Sequence, residues 1–142
     1  MNRLRIVLDT NILLVSISSR SQYHWLFQKL LQGDFDLYVT TEILMEYEEI
    51  IALKYHPNVA TEVLRTLLKL PNVFRPFIYY HWHLISADSD DNKFIDCVVS
   101  ANAHYLVSQD KHFKVLKEIA FPRIKVLNID EFKTILSARV AR

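Results

Sequence analysis

Two aspartates stand where a buried chain run gives out. In "LRIVLDTNIL", Asp9 directly follows the apolar residues Ile6 to Leu8, and in "HYLVSQDKHF", Asp110 follows a second short apolar run. Further acids crowd two segments, "EILMEYEE" and "DSDDNKFID". A buried carboxylate without a partner costs several kcal/mol or gives up its charge. Carboxylates gathered in one pocket repel, by about 4 kcal/mol for two charges ~4 Å apart at an effective dielectric near ~20. A divalent cation relieves that repulsion, and an all-oxygen ligand set suits Mg2+ or Mn2+. Such a cation polarises a phosphoryl oxygen, lowers the pKa of bound water and stabilises a leaving oxyanion. No histidine or thiol stands at a spacing that competes for the ligand role.

The elements that must position these acids can be read from period and punctuation. "RIVL" is a short buried strand by length and branching. "SQYHWLFQKLLQGDF" predicts a helix with Ser21 as cap and Gly33 as stop. "DLYV", Asp36 to Val39, is a second strand, and Thr40 or Thr41 caps the next helix, which Pro57 ends. Asn58 to Leu70 forms another helix, closed by Pro71. "NVFRPFIYYHWHLI", interrupted by Pro76, is an edge strand or an extended connection. An acidic cap opens the helix of "DSDDNKFIDCVVSANA"; "HYLVS" is a strand, "KHFKVLKEI" a short helix, "RIKVLN" a strand and "IDEFKTILSARV" a closing helix. Short apolar strands alternating with helices predict an α/β fold, a parallel-sheet three-layer α/β/α sandwich. Ligands bind beyond the carboxyl ends of such strands, which is where Asp9 and Asp110 fall.

Helix geometry sorts the other acids. At about 100° per residue, Asp91 falls in line with Phe94, Ile95, Val98 and Asn102, so it begins the core-facing stripe. Asp96 points roughly opposite, and Asp90 lies near the stripe's edge. The plainer reading is that Asp88, Ser89, Asp90 and Asp91 cap a helix and suit its dipole. In the earlier helix Ile43, Leu44, Tyr47, Ile50 and Ile51 share one face. Glu46 and Glu48 lie about 40° from its two margins, so geometry does not choose between them, and a solvated acidic face is the plain alternative.

The bulk composition excludes several classes. The 142 residues suit a single domain over 1–142, and 51% hydrophobic content excludes a disordered tail. Lys and Arg total 17 against 16 Asp and Glu, so no general basic surface argues for nucleic acid. The lone cysteine, Cys97, excludes an internal disulfide and a cysteine-rich zinc site, and fits a buried structural thiol. The N-terminus lacks the pattern of a signal peptide and no apolar stretch is long enough to span a membrane, so a cytoplasmic protein is expected. With Gly33 as the only glycine, phosphate-cradling loops that need close backbone approach are excluded.

"IVLDTNIL" resembles the opening motif of PIN domains, which are metal-dependent ribonucleases. "VTTEILMEY" resembles their second motif, in which a small hydroxyl residue, Thr41 here, precedes a glutamate by five positions. "DSDDNKFIDCVVSANAHYLVSQDKHF" resembles the C-terminal half of the branch described as toxins of type II toxin–antitoxin pairs. The likeness runs roughly from Arg5 to Phe132. Gln109 stands in a slot often held by glycine, and Ser89 in one often held by proline.

The resemblance implies Asp9, Glu46, Asp91 and Asp110 as the catalytic and metal-binding acids, choosing Glu46 over Glu48. Asp9, Asp91 and Asp110 are then ligands of Mg2+ or Mn2+, while Glu46 holds a second ion or orients the attacking water. Asn11 and Ser108 are expected to hydrogen-bond ligand carboxylates. Arg20, Lys93, Lys111, His112 and Lys114 are candidates for RNA phosphates, with ordinary surface charge as the alternative for each. The implied function is an endoribonuclease restrained by a small antitoxin and paired as a homodimer. The alternative is a catalytically inactive PIN-fold module that binds RNA or protein. An aspartyl-phosphate phosphatase would want a second aspartate where Asn11 stands. His81 and His83 share a strand face and fit partly exposed edge residues better than a metal pair. Tyr23, Trp25, Phe27 and Leu30 fit core or dimer contacts, and Tyr79 and Tyr80 fit core packing better than base stacking.

Overall fold

The computed structural model describes residues 3–78, 80–85, 89–119 and 122–140. Tyr79 and Asp88 lie outside the described residues. Five strands form one all-parallel sheet: β1 (Arg5–Leu8), β2 (Asp36–Tyr38), β3 (Val73–Phe74), β4 (Tyr105–Val107) and β5 (Val126–Leu127). Their order is β3-β2-β1-β4-β5. In register, Ile6 lies opposite both Leu37 and Tyr105, and Leu8 opposite Val107. Central β1 is apolar throughout its inner length because helices cover both faces; Ile6, Val7 and Leu8 are fully buried. The strand order reverses between β1 and β4, and at such a switch point the chain leaves a crevice beyond the carboxyl ends.

The helices are α1 (Thr10–Ile17), α2 (His24–Gln32), α3 (Thr41–Lys54), α4 (Pro57–Lys69), α5 (Asn92–Ala101) and α6 (Ile129–Val140). A 3₁₀ turn covers Ser89–Asp91, and the expected short helix after Asp110 is a 3₁₀ segment, Lys111–Glu118. α5 packs on β1, β2 and β4; α1 packs on α2 and α3; α6 packs on β5. No helix among the described residues is long and apolar enough to cross a membrane.

Several boundaries differ from the sequence expectation for local reasons. α1 was not anticipated, because its apolar residues show no single amphipathic stripe: Ile12 and Leu13 are buried and Val15 is exposed. α2 begins at His24, and Ser21 closes the turn before it, its Oγ accepting from the Tyr23 N–H at 3.1 Å. Gly33 stops the helix as expected, at φ +79°, the left-handed position that costs a side chain. Pro57 opens α4 instead of ending α3, since its fixed φ suits a first helical residue that needs no N–H partner. Thr40 caps α3, its Oγ1 accepting from the Ile43 N–H at 3.2 Å. β3 is an edge strand, and residues 75–78 and 80–85 run on without regular structure.

Candidate metal centre

β1 ends at Leu8, so Asp9 emerges beyond the carboxyl edge of the sheet. Its backbone N–H still reaches the Val107 carbonyl of β4 at 3.0 Å, and its own carbonyl accepts from Ile12 and Leu13 to start α1. The carboxylate takes two donors, the Thr10 N–H on Oδ1 and the Ser108 hydroxyl on Oδ2, both at 2.7 Å. Only 6% of Asp9 is exposed. Burial pushes its pKa from 3.8 up to about 6; the Ser108 and Thr10 hydrogen bonds pull against this, and the like charges of Asp91 and Asp110 add to it. The carboxylate in the apolar run is thus held by a ring of donors and shares its field with two other acids.

Those two acids arrive on separate segments. Asp110 follows β4 by three residues; its N–H donates to Ser108 Oγ at 2.9 Å, and its Oδ1 accepts from the His112 N–H at 2.9 Å. Asp91 ends the 3₁₀ turn before α5, and its side chain caps no helical N–H. His112 Nδ1 instead lies 3.2 Å from Asp91 Oδ2 and 3.5 Å from Asp110 Oδ1. Asp91, Asp110 and His112 each offer one ligand atom, all within 4.8 Å of one another. The donor set fits a divalent cation: two carboxylates and an imidazole converge on one point beside a third carboxylate. The imidazole corrects the expectation that no histidine competes for the ligand role. His112 faces the acids and keeps about a third of its side chain exposed (35%).

Glu46 stands on α3, half-buried. Its Oε2 accepts from the Thr10 hydroxyl, and its Oε1 lies 2.7 Å from Lys93 Nζ. Glu48 is exposed. Tyr47, one residue on, points inward and donates its hydroxyl to the Leu8 carbonyl at 2.6 Å, tying α3 to the end of β1. Burial, with Cys97, Asp9 and Glu46 adding to it, holds the Tyr47 phenol well above its ordinary range, so it stays a donor. Neither Thr10 nor Tyr47 was singled out from sequence. The position of Thr10 directly after the strand-end acid was the available signal.

The remaining expectations divide. Ser108 does bond a carboxylate, whereas Asn11 is exposed on the first turn of α1 and its side chain bonds none of the described carboxylates. Lys93 is enclosed in the site by Glu46 and the Asp90 carbonyl. Lys111 and Lys114 are exposed beside Asp110, and Arg20 is exposed past the far end of α1, about 12 Å of helix from Asp9. Asp96, placed by the helix arithmetic opposite the core-facing stripe, is nonetheless buried, accepting from the Trp82 N–H and pairing with His81 at 2.8 Å. Asn102 departs from the predicted stripe: it is exposed and ends α5 in a left-handed conformation. Cys97 is fully buried, and burial, with Asp96 adding, pushes its thiol up to about 12, which leaves it unreactive. Leu30 is core and Tyr23, Trp25 and Phe27 pack against it, but Tyr80 is exposed, edge-on to Trp82.

An all-parallel sheet covered by helices, with acids gathered beyond its strand ends at the switch point, defines an α/β protein with a candidate cation site at that edge. The chain belongs to the PIN domain family, whose model matches residues 5–112, and whose members are generally nucleases. In fold it is similar to VapBC2 from Rickettsia felis, a structure bound to a DNA fragment from their promoter, with 16% identity, 88% of this chain and 98% of that chain covered, and a TM-score of 0.61. It is also similar to the PIN domain endonuclease Utp24, with 16% identity, 87% and 84% covered, and a TM-score of 0.52. FitAcB from Neisseria gonorrhoeae aligns with 14% identity, 87% and 97% covered, and a TM-score of 0.54. At these identities the likeness shows the fold. No curated protein matches the chain.

Proposed function

We propose that this chain is a Mg2+- or Mn2+-dependent endoribonuclease that hydrolyses RNA phosphodiester bonds. The observation that carries the reading is the convergence of Asp91, Asp110 and His112 ligand atoms within 4.8 Å, in the field of Asp9. Asp9, Asp91 and Asp110 hold the ion, directly or through water. When bound, the ion supplies Lewis acidity toward a phosphoryl oxygen and a lowered pKa for coordinated water. Ser108 fixes Asp9 and the Asp110 backbone at once, so two acids keep one geometry. Glu46, anchored by Thr10, orients the attacking water. His112 steadies Asp91 and Asp110 against each other. Lys111 and Lys114 contact flanking phosphates, which gives affinity with little sequence choice.

The resemblance to the toxin branch, with the likeness in fold to VapBC2 and FitAcB, supports the role of toxin in a toxin–antitoxin pair, restrained by a small antitoxin protein and acting as a cytoplasmic homodimer. The test is direct. Purified chain with Mg2+ or Mn2+ cuts single-stranded RNA internally, while chelator or Asp9→Asn abolishes cutting with the circular dichroism spectrum unchanged. A folded wild type that cuts no RNA with either ion overturns the reading in favour of a binding module.

A further inference from the structure

Glu46 enters the centre already neutralised. Its Oε1 pairs with Lys93 Nζ at 2.7 Å, and its Oε2 is taken by the Thr10 hydroxyl. Lys93 is no swinging surface lysine: its side chain is 12% exposed, its Nζ also donates to the Asp90 carbonyl at 2.7 Å, and the same Nζ lies 5.2 Å from the centre of the Phe94 ring. The other three acids stand differently. Asp91 and Asp110 gather around His112, and Asp9 accepts from the Thr10 N–H and the Ser108 hydroxyl. Two-metal phosphoryl-transfer centres set their ions about 3.5–4 Å apart, which requires a second anionic ligand site next to the first. Here that site is the Glu46 carboxylate. An ion on Glu46 Oε1, at about 2.1 Å, would stand within about 5 Å of the Lys93 ammonium. A double and a single positive charge would then contend for one carboxylate oxygen.

We infer that the Lys93 ammonium takes the place of a second metal ion beside Glu46, so that the centre binds a single divalent cation. The inference rests on the metal-dependent reading above. An ammonium carries three donors, of which Glu46 and Asp90 engage two, leaving the third for a phosphoryl oxygen. Lys93 is then a fixed positive charge that needs no recruitment, held at the start of α5 two residues from the ligand Asp91.

Mn2+ titration of the purified chain by calorimetry, with paramagnetic resonance of the loaded sample, tests this without RNA. The expected count is one ion per chain with no manganese–manganese coupling, falling to zero in Asp91→Asn. Lys93→Gln gains a second, weaker ion, which Lys93→Gln combined with Glu46→Gln loses again, while Lys93→Arg stays at one. Two coupled ions in the wild type overturn the inference, as does Lys93→Gln remaining at one. The wild-type count decides the matter even where Lys93→Gln does not fold. A chain that binds one ion yet cuts no RNA would sink the ribonuclease reading and leave this assignment standing; a chain that binds none would overturn both.

Discussion

The Asp9 carboxyl, pushed from 3.8 up to about 6 by burial, stores an electrostatic cost in the metal-free chain. A folded value above the unfolded one means that its contribution to stability is fully present below pH 3.8 and is lost as pH rises through about 6. At about pH 8 with chelator, Asp9→Asn is therefore expected to be more stable than the wild type, by on the order of 1–3 kcal/mol in a urea titration. The same variant loses divalent affinity by more than about 10-fold, read by Mn2+ calorimetry. Because metal and proton compete for the same oxygens, wild-type affinity should climb with pH through about 6, and an affinity flat across that window would contradict the assignment. Asp9 was legible in the sequence because a charge at the end of an apolar run demands a reason. Lys93 was legible only as a nearby cation, since its pairing with Glu46 joins two helices far apart in the chain.

α3 sets the depth of Glu46 through the residue beside it. The Tyr47 hydroxyl donates to the Leu8 carbonyl, a backbone group at the very end of β1. Tyr47→Phe keeps the ring and removes the donor, which should cost about 1–1.5 kcal/mol of stability in urea and lower kcat through displacement of Glu46. An unchanged midpoint would show that the bond contributes nothing. Most elements were readable because their signals are local: Thr40 caps α3, Gly33 stops α2, and β1 is a branched apolar run. α1 was not, because polar Thr10 and Ser16 are buried while apolar Val15 is exposed, which blurs the 3.6-residue stripe. Enclosure also hides Asp96, whose helix position predicts a turn away from the acids but whose burial comes from the segment carrying His81 and Trp82. The nearness of His112 to the acids was not legible because it depends on the 3₁₀ segment after Asp110, which brings its ring beside Asp91 and Asp110.

The middle of the sheet is fastened by residues about 99 positions apart in the chain. His104 Nδ1 accepts from the Arg5 N–H at 2.8 Å, so the imidazole serves as an acceptor where β1 begins. Burial, then the charges of Arg5 and Arg139, lowers its pKa below 6.5. A folded value beneath the unfolded one makes this contribution complete above pH 6.5 and progressively lost as pH falls below it. In an Asp9→Asn background, where the opposite titration is silent, thermal stability should drop on acidification below 6.5, and His104→Gln should flatten that limb. The fastening of β1 between β2 and β4 also has a consequence for the making of the protein. Asp9 and Ser108 are separated by 99 positions, so a nascent chain carries the first acid long before its partner leaves the ribosome. A fragment ending at Asn102 lacks β4, Ser108 and Asp110, and should bind no Mn2+ in calorimetry. Translation must therefore pass Asp110 before the acidic centre can close, and the machinery that builds the chain works beside one whose first acid still lacks its partners.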